Sequence, residues 1–241
     1  MHYFILACIC ILGAMLQATI GFGFPVFAMI FLVMLFPFAT AVTITQFAGL
    51  LGVGYFFLKY RNHVHWKVLF PFLIPAMALG AFLTWYSMSI PVAGLKICLG
   101  LVLIAIALLL MFGRRSISVK PSWRTGSLLG AISGLLNGLF AVGGPPVALY
   151  LLPATDDTIS YIASANAYFF LFKLVSLPIR FSQGAIATEH LGYLFVSLLS
   201  MTVGTLIGDR IMRSLRKALL ERLVYLFVAF SGVVIMLQEV L

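Results

Sequence analysis

The sequence predicts an all-α membrane protein made of two homologous halves, each beginning with a helix that glycine and proline break. Three observations predict this fold. Of the 241 residues, 63% are hydrophobic and 9% are charged, whereas roughly 25% of residues are charged in soluble proteins. The mean hydropathy of +1.16 extends over the whole chain rather than one anchor. Finally, landmarks of the first half recur in the second half.

Short polar or basic connectors separate the apolar segments. Each segment approaches or exceeds the roughly 20 residues that cross a hydrocarbon core, and little sequence remains for a water-soluble domain. The segments fall at 3–36, 39–58, 68–86, 92–112, 125–152, 159–179, 190–208 and 218–238.

The two halves share landmarks in the same order and at a nearly constant offset. The pairs at an offset of 121 are Gly13/Gly134, Gly23/Gly144, Pro25/Pro146, Thr45/Asn166 and Lys59/Arg180, and those at 124 are Gly80/Gly204 and Met88/Met212. We therefore divide the chain into a first transmembrane repeat, 1–115, and a second, 116–241.

The first segment of each half is too long for one crossing. Residues 3–36 would form about 50 Å of helix, whereas the hydrocarbon core is ~30 Å thick. The sequences GFGFP at 21–25 and GGPP at 143–146 interrupt these segments. Glycine relaxes the backbone and proline removes a donor N–H. We expect a broken helix or a re-entrant hairpin in each half, followed by three transmembrane helices.

Two arrangements of the halves remain open. If each broken segment crosses the membrane, the halves are parallel and the basic cluster 210–217 faces outside. If each turns back, the halves are inverted repeats, and the clusters 59–67, 114–124 and 210–217 share the cytoplasmic side, although Arg180 then lies outside. The distribution of Lys and Arg favours the inverted arrangement, which is common in secondary transporters.

The formal charge of +9 comes from 15 basic and 6 acidic residues. In a soluble protein this excess would indicate a nucleic-acid partner. Here the basic residues lie mainly in short loops between apolar runs, as the orientation rule for membrane proteins requires. We therefore expect lipid, and not nucleic acid, around this chain.

The two interruptions and the polar residues near them form a candidate binding site for a small anion. A helix that starts after a break presents free N–H groups and about half a positive charge, and neutral amides and hydroxyls donate hydrogen bonds. Interhelical hydrogen bonding is the alternative role for such side chains. The candidate residues are Gln17, Gly21, Gly23, Phe24, Pro25, Thr45, Gln46, Asn137, Gly143, Gly144, Pro145, Asn166, Lys173 and Arg180.

Lys173 lies deep inside the apolar run 161–178. A lysine at such depth is costly and by default faces a cavity or a partner. Asn166 lies seven residues earlier, two helical turns away on the same face. The alternative is that the lysine stem extends to the interface near Arg180.

Enzymatic chemistry is not indicated. Acidic residues lie near segment ends, and the sequence has no metal-ligand set, no nucleophile–base pair and no phosphate-binding loop, so we expect no cofactor and no metal. A membrane-embedded enzyme would need such a cluster near an interface, and an assembly subunit would not need two related breaks. A transporter of a small anion therefore leads, with a carboxylate or another organic anion as the alternative cargo.

The chain resembles the sulfite exporter TauE/SafE family, also called the 4-toluene sulfonate uptake permeases. The resemblance rests on GAMLQATIGFGFP at 13–25, GLLNGLFAVGGPP at 134–146 and GTLIGDRIMRSL at 204–215, and it extends over nearly the full chain. In the first copy, Gln17 and Phe24 stand where the family pattern has small residues.

The resemblance implies transport of sulfite, sulfoacetate or other sulfonates across the cytoplasmic membrane of a prokaryote, by a multi-pass protein of the inner membrane. It agrees with the donor-lined site without carboxylates that the residues indicate. It leaves open the direction of transport, the coupling ion (a proton or sodium) and association into a homodimer.

Overall fold

The computed structural model describes residues 2–91, 95, 120–213 and 219, and within them the long elements are helices. Short 3-10 turns follow α3 and α4 and precede α8. The helices are α1 His2–Ile20, α2 Phe24–Leu35, α3 Phe38–Tyr60, α4 Trp66–Tyr86, α5 Trp123–Phe140, α6 Gly144–Ala154, α7 Thr158–Ser182 and α8 Leu191–Arg213.

Five helices of the described part are long and apolar enough to cross a membrane: α1, α3, α4, α7 and α8. α2 is a shorter apolar helix. These observations confirm the all-α class and the multi-pass membrane character. The predicted segments 92–112 and 218–238 lie outside the described residues, apart from Leu95 and Leu219.

Two helix starts follow directly from the sequence. Ser122 and Thr125 form a capping box at the start of α5, in which each side chain accepts from the backbone N–H of the other. The Asp157 carboxylate caps α7, since it accepts from the Ser160 N–H at 2.9 Å and the Ser160 hydroxyl at 2.7 Å. Both caps satisfy N–H groups that a helix leaves free in its first turn.

The chain reverses direction at the first break. A Cβ atom placed on Gly13 of α1 would lie 2.6 Å from the Phe24 ring and 3.2 Å from the Phe27 ring of α2. A straight helix would separate residues 13 and 27 by about 20 Å. α2 therefore folds back along α1, and the break forms the tip of a helical hairpin.

The second break has the same shape. The Tyr150 hydroxyl of α6 lies 3.5 Å from the Ser122 carbonyl oxygen at the start of α5, and a Cβ atom on Gly126 would lie 2.7 Å from that hydroxyl. α6 therefore returns along α5, and its tip lies at residues 141–143.

Glycine-lined contacts join each half to the other. In α5, glycines at every fourth position (126, 130, 134 and 138) lie against α4, and a Cβ atom on Gly134 would lie 2.4 Å from the Ala76 carbonyl oxygen. α8 approaches α1 through Gly204 and Gly208, where added Cβ atoms would meet the Ile11 carbonyl oxygen and the Ala18 side chain. Small residues at this spacing let membrane helices pack closely.

The direction of each packed pair follows from the residues in contact. Residues 71, 76 and 80 of α4 lie against 126, 134 and 138 of α5, and residues 3, 11 and 18 of α1 lie against 192, 204 and 208 of α8, so both pairs are parallel. α3 and α7 are antiparallel, because Gln46 contacts Ser176 whereas His65, beyond the end of α3, contacts Ser164.

Candidate functional site

The first break owes its shape to two glycines with positive φ. Gly21 has φ 84° and donates its N–H to the Gln17 carbonyl oxygen at 2.8 Å, which ends α1. Gly23 has φ 116° and is the N-cap of α2, with Pro25 in the first helical turn. Side chains other than glycine adopt such backbone angles at a cost, so this tight reversal depends on both glycines.

The second break reverses through Ala141 instead. Ala141 has φ 61° and ends α5 by donating its N–H to the Asn137 carbonyl oxygen, while the Val142 N–H bonds to the Leu136 carbonyl oxygen. The left-handed Ala141 and its bond to the Asn137 carbonyl oxygen form an αL-type helix end. Gly143 then serves as the N-cap of α6, with a negative φ of −87°.

The tips of the two hairpins touch. A Cβ atom placed on Gly144, at the start of α6, would lie 2.2 Å from the Phe22 ring at the first break. Phe22 is 1% exposed, so its ring is fixed against the second tip. The two helix N-termini are therefore neighbours in the interior of the bundle.

A small cavity lies between the two tips. Its lining combines both breaks with residues of α1, α5 and α7, and contains no carboxylate among the described residues. It is lined by Gln17, Phe22, Gly23, Pro25, Val26, Asn137, Ala141, Val142, Gly144, Phe169 and Lys173.

Lys173 extends into the bundle and not to the membrane interface. Its side chain is 5% exposed, lines the cavity and donates from Nζ to the Gln46 carbonyl oxygen at 3.0 Å. The alternative in which the lysine stem reaches the interface does not occur in this structure. A Cβ atom on Gly49 would lie 3.0 Å from Nζ, so that glycine leaves room for the amine beside α3.

A buried hydrogen-bond network fixes the α5 and α7 sides of the cavity. The Gln46 amide donates to the Asn137 carbonyl oxygen at 3.2 Å and accepts from the Ser176 hydroxyl at 2.8 Å. The Asn137 amide donates to the Tyr168 hydroxyl at 3.4 Å, and Ser133 donates to the same hydroxyl at 3.0 Å. Because these groups are satisfied, they hold Asn137 in place at the cavity wall.

Six of the predicted site residues line the cavity, and the others lie behind it or farther away. Gly21, Phe24, Gly143 and Pro145 belong to the breaks but are absent from the lining. Gln46 is also absent from it, and its carbonyl oxygen accepts from Lys173. The predicted residues in the lining are Gln17, Gly23, Pro25, Asn137, Gly144 and Lys173.

Three predicted residues lie away from the lining. Thr45 bonds within its own helix to the Ala41 carbonyl oxygen at 2.8 Å. The Asn166 amide donates to the Ile162 carbonyl oxygen at 2.8 Å. Arg180, expected at the outer end of its segment, lies inside α7 at 1% exposure and donates to the Gly138 carbonyl oxygen.

The remaining lining and support residues were not singled out from the sequence. Phe22 stands inside the first break, between its two glycines, and that position could have identified it. The apolar wall formed by Val26, Ala141, Val142 and Phe169 carries no sequence signal that separates it from core packing. Ser133 and Tyr168 are ordinary membrane-helix residues until the fold brings them together.

The ion pair that the described residues form lies away from the cavity. The ion pair between Lys59 and Asp209 joins the end of α3 to α8, and Asp209 is buried at 4% exposure although the sequence places it near a segment end. No group of three or more His, Cys, Asp or Glu residues that could hold a metal ion occurs in the described part.

Comparison with known proteins gives one result. The sequence pattern of the family described as sulfite exporter TauE/SafE matches residues 5–235. No curated protein and no solved structure matches the chain. Because the match extends over nearly the whole chain, including both breaks and the cavity between them, this protein belongs to the sulfite exporter TauE/SafE family of membrane transporters.

Proposed function

We propose that this protein transports a small sulfur oxyanion, such as sulfite or a short organosulfonate, and that the cavity between the two breaks binds it. The observation that carries the proposal is the position of Lys173. Its amine reaches a cavity that two helix N-termini also border, and the described lining has no carboxylate. A cation without a carboxylate beside it favours an anion in that cavity.

The helix starts add partial positive charge. The N-caps Gly23 and Gly143 have no side chain that could cap the first N–H groups. Prolines remove some of these donors, and those that remain belong to residues 23, 24 and 26 of α2 and to residues 143 and 144 of α6. Free N–H groups at a helix start bind oxyanions.

The lining of the cavity suits a small anion that has both polar and apolar parts. The rings of Phe22 and Phe169 form apolar walls, which suit the carbon end of a short sulfonate, while Asn137, Gln17 and Lys173 offer donors to its oxygens. The family match supports sulfur oxyanions over carboxylates as the cargo.

We further propose that the halves are inverted repeats. The support comes from helix directions. α3 and its counterpart in the second half, α7, are antiparallel. α4 of the first half and α5 of the second half are parallel. Inverted halves place two broken helices at one central site, as in other secondary transporters. Lys173 has Gly52 as its counterpart at the offset of 121, so the shared site contains one lysine.

The distribution of basic residues supports the proposal that one end of the bundle faces the cytoplasm. Contacts between α3, α4, α5 and α8 bring the basic residues near the chain's loops to the same end, which agrees with the positive-inside rule for an inner-membrane protein. These residues are Lys59, Arg61, Lys67, Lys120, Arg124 and Arg210.

Reporter fusions at Arg115 and Lys217, outside the described residues, should both report a cytoplasmic location. A periplasmic signal at Lys217 alone would favour parallel halves.

Transport itself is tested with purified protein in liposomes. We expect uptake of sulfite or a short sulfonate to exceed that of protein-free liposomes, and acetate and other carboxylates of similar size to compete weakly. Carboxylates that compete as strongly as sulfite would support the alternative organic-anion cargo. No uptake of any of these anions by folded protein, with and without a proton or sodium gradient, would contradict the proposal.

A further inference from the structure

Arg180 is a buried cation that the central cavity does not use. It lies in the last turn of α7, is 1% exposed and is absent from the cavity lining. A charged side chain inside a membrane bundle is costly, and it usually marks the route of a substrate or an ion. The burial of this charge therefore indicates that Arg180 has a role outside the central cavity.

Arg180 and Lys173 lie on one face of α7. They are seven residues apart, which is two helical turns and about 10 Å along the axis. Both are buried, whereas Leu174 and Phe181, each one residue further along, are 48% and 41% exposed. The face that carries both cations is therefore the interior face of the helix.

The hydrogen bonding of Arg180 is incomplete. One terminal nitrogen donates to the Gly138 carbonyl oxygen in the last turn of α5. The Nε atom is buried and has no hydrogen-bond partner in the part of the chain that the structure describes. A guanidinium has five N–H donors in a fork that suits oxyanions, so capping α5 uses only a fraction of its donors.

The counterpart of Arg180 in the first half is neutralised. Lys59, at the offset of 121, forms an ion pair with Asp209, and the Tyr60 hydroxyl donates to the same carboxylate at 3.0 Å. The position that corresponds to Asp209 at the offset of 124 is Trp85, so the residue equivalent to Asp209 is not a carboxylate. Lys59 and Arg180 thus lie at opposite ends of the bundle with different electrostatic partners.

We propose that Arg180 is a second anion-binding residue, which holds the transported oxyanion on its way between the central cavity and the end of the bundle opposite Lys59. The anion moves about two turns along the interior face of α7, from Lys173 to Arg180. The inference rests on the proposed transport of an oxyanion but adds a separate site. At the other end, Asp209 neutralises Lys59.

Cysteine modification tests whether anions reach position 180. In a background without Cys8, Cys10 and Cys98, we would compare Arg180→Cys with Ser182→Cys, an exposed position at the end of the same helix. Two impermeant methanethiosulfonates, one with a sulfonate and one with a quaternary ammonium, are applied from outside to spheroplasts. We expect the sulfonate reagent to modify Arg180→Cys at least tenfold faster than the ammonium reagent. Each rate is divided by that of the same reagent with a free thiol in solution, and on this scale Ser182→Cys should react with both at similar rates.

The preference should depend on the neighbouring cation. Adding Lys173→Gln to Arg180→Cys should reduce the preference for the sulfonate reagent severalfold, because that amine is the next positive charge on the path. Equal rates with both reagents, or no reaction with either, would overturn the proposal. A clear preference in a protein that fails to transport sulfite would contradict the proposed cargo and leave the anion path standing.

A second variant covers the case in which Arg180→Cys does not fold. Arg180→Gln removes the charge and keeps a shorter amide donor, so the thermal midpoint reports any loss of the Gly138 contact, whereas a residue that only caps α5 would leave sulfite transport near the wild-type rate. We expect the initial rate to fall at least tenfold while the dissociation constant of sulfite changes less than threefold. An unchanged rate, or an equal loss of rate and affinity, would overturn the proposal.

Discussion

The two breaks have the same shape but depend on glycine for different reasons. At the first break, Gly21 and Gly23 have φ of 84° and 116°, which L side chains rarely adopt. At the second break the residue with positive φ is Ala141, and Gly143 has an ordinary negative φ. Gly144 is required for space, because an added Cβ atom would lie 2.2 Å from the Phe22 ring.

This difference shows that a shared glycine signature does not imply a shared physical role. The first hairpin depends on the backbone conformation of both its glycines, although Gly21 also lies close to the Tyr161 ring, whereas Gly144 of the second hairpin depends on a partner ring that belongs to the first. A substitution at Gly144 therefore affects both hairpins, and one at Gly23 affects its own turn. The following substitutions separate conformation from space at the two breaks.

The largest effect is expected for Gly144→Leu. The added side chain would overlap the buried Phe22 ring and separate the two tips, which would displace both helix N-termini from the cavity. We expect loss of sulfite transport in proteoliposomes, while membrane insertion and the amount of protein stay near wild type, because the lipid-facing surface is unchanged. Wild-type transport by this variant would mean that the tips do not need to touch.

A double substitution identifies the ring as the cause. Gly144→Ala should lower the thermal midpoint of the purified protein, and Phe22→Leu in the same chain should recover part of the loss. Residues in direct contact commonly show coupling energies of about 0.5–3 kcal/mol. Strictly additive effects of the two substitutions would show that Phe22 is not the obstacle.

A smaller effect is expected for Gly23→Ala. A left-handed conformation costs a non-glycine residue roughly 1–2 kcal/mol, so the free energy of unfolding should fall by about that amount. Denaturation of the purified protein in mild detergent measures it. In contrast to Gly144→Ala, the loss should persist when Phe22→Leu is added, and recovery would indicate a steric cause at this break too.

Much of this architecture could be predicted from the sequence. Composition and segment length predict the helical membrane class, and the run GFGFP at 21–25 with GGPP at 143–146 predicts both breaks. The cost of burying Lys173 predicts that its amine faces the interior, and the structure places it at the cavity. Each of these inferences depends on a local pattern or on one costly residue.

The pairing of distant segments could not be predicted in the same way. Ser133 and Tyr168 are 35 positions apart and become partners only through the packing of α5 against α7. The sequence also cannot show that Arg180 is buried, because its acceptor, a carbonyl oxygen in the last turn of α5, comes from another helix. Asp209 likewise is buried because Lys59 and Tyr60 meet it from another helix.

The smallest effect is expected at Ala141. Its φ of 61° is the left-handed conformation. Ala141→Gly relieves the strain of this conformation but increases the conformational entropy of the unfolded chain. Each of these two contributions to the free energy of unfolding is about 1 kcal/mol or less. We expect a thermal midpoint equal to or slightly above that of the wild type. Ala141→Val should lower it, since a β-branched residue fits this conformation poorly. A stable Ala141→Val protein would contradict the backbone account.

The central claim is that Lys173 binds the transported anion, and dissociation constants test it most directly. Opposite unit charges 4 Å apart attract by about 4 kcal/mol at an effective dielectric constant of ~20, before desolvation is subtracted. A net third of that energy changes affinity about tenfold. Sulfite binding to wild type, Lys173→Arg and Lys173→Gln would be measured by isothermal titration of the purified proteins.

We expect Lys173→Gln to bind sulfite at least tenfold more weakly than wild type. Lys173→Arg should retain part of the affinity, because the charge remains although its geometry differs. A lysine that only stabilises the bundle, through its hydrogen bond to the Gln46 carbonyl oxygen, would instead change the thermal midpoint and leave the dissociation constant alone. Equal dissociation constants for the three proteins would contradict the claim that the amine of Lys173 holds the anion.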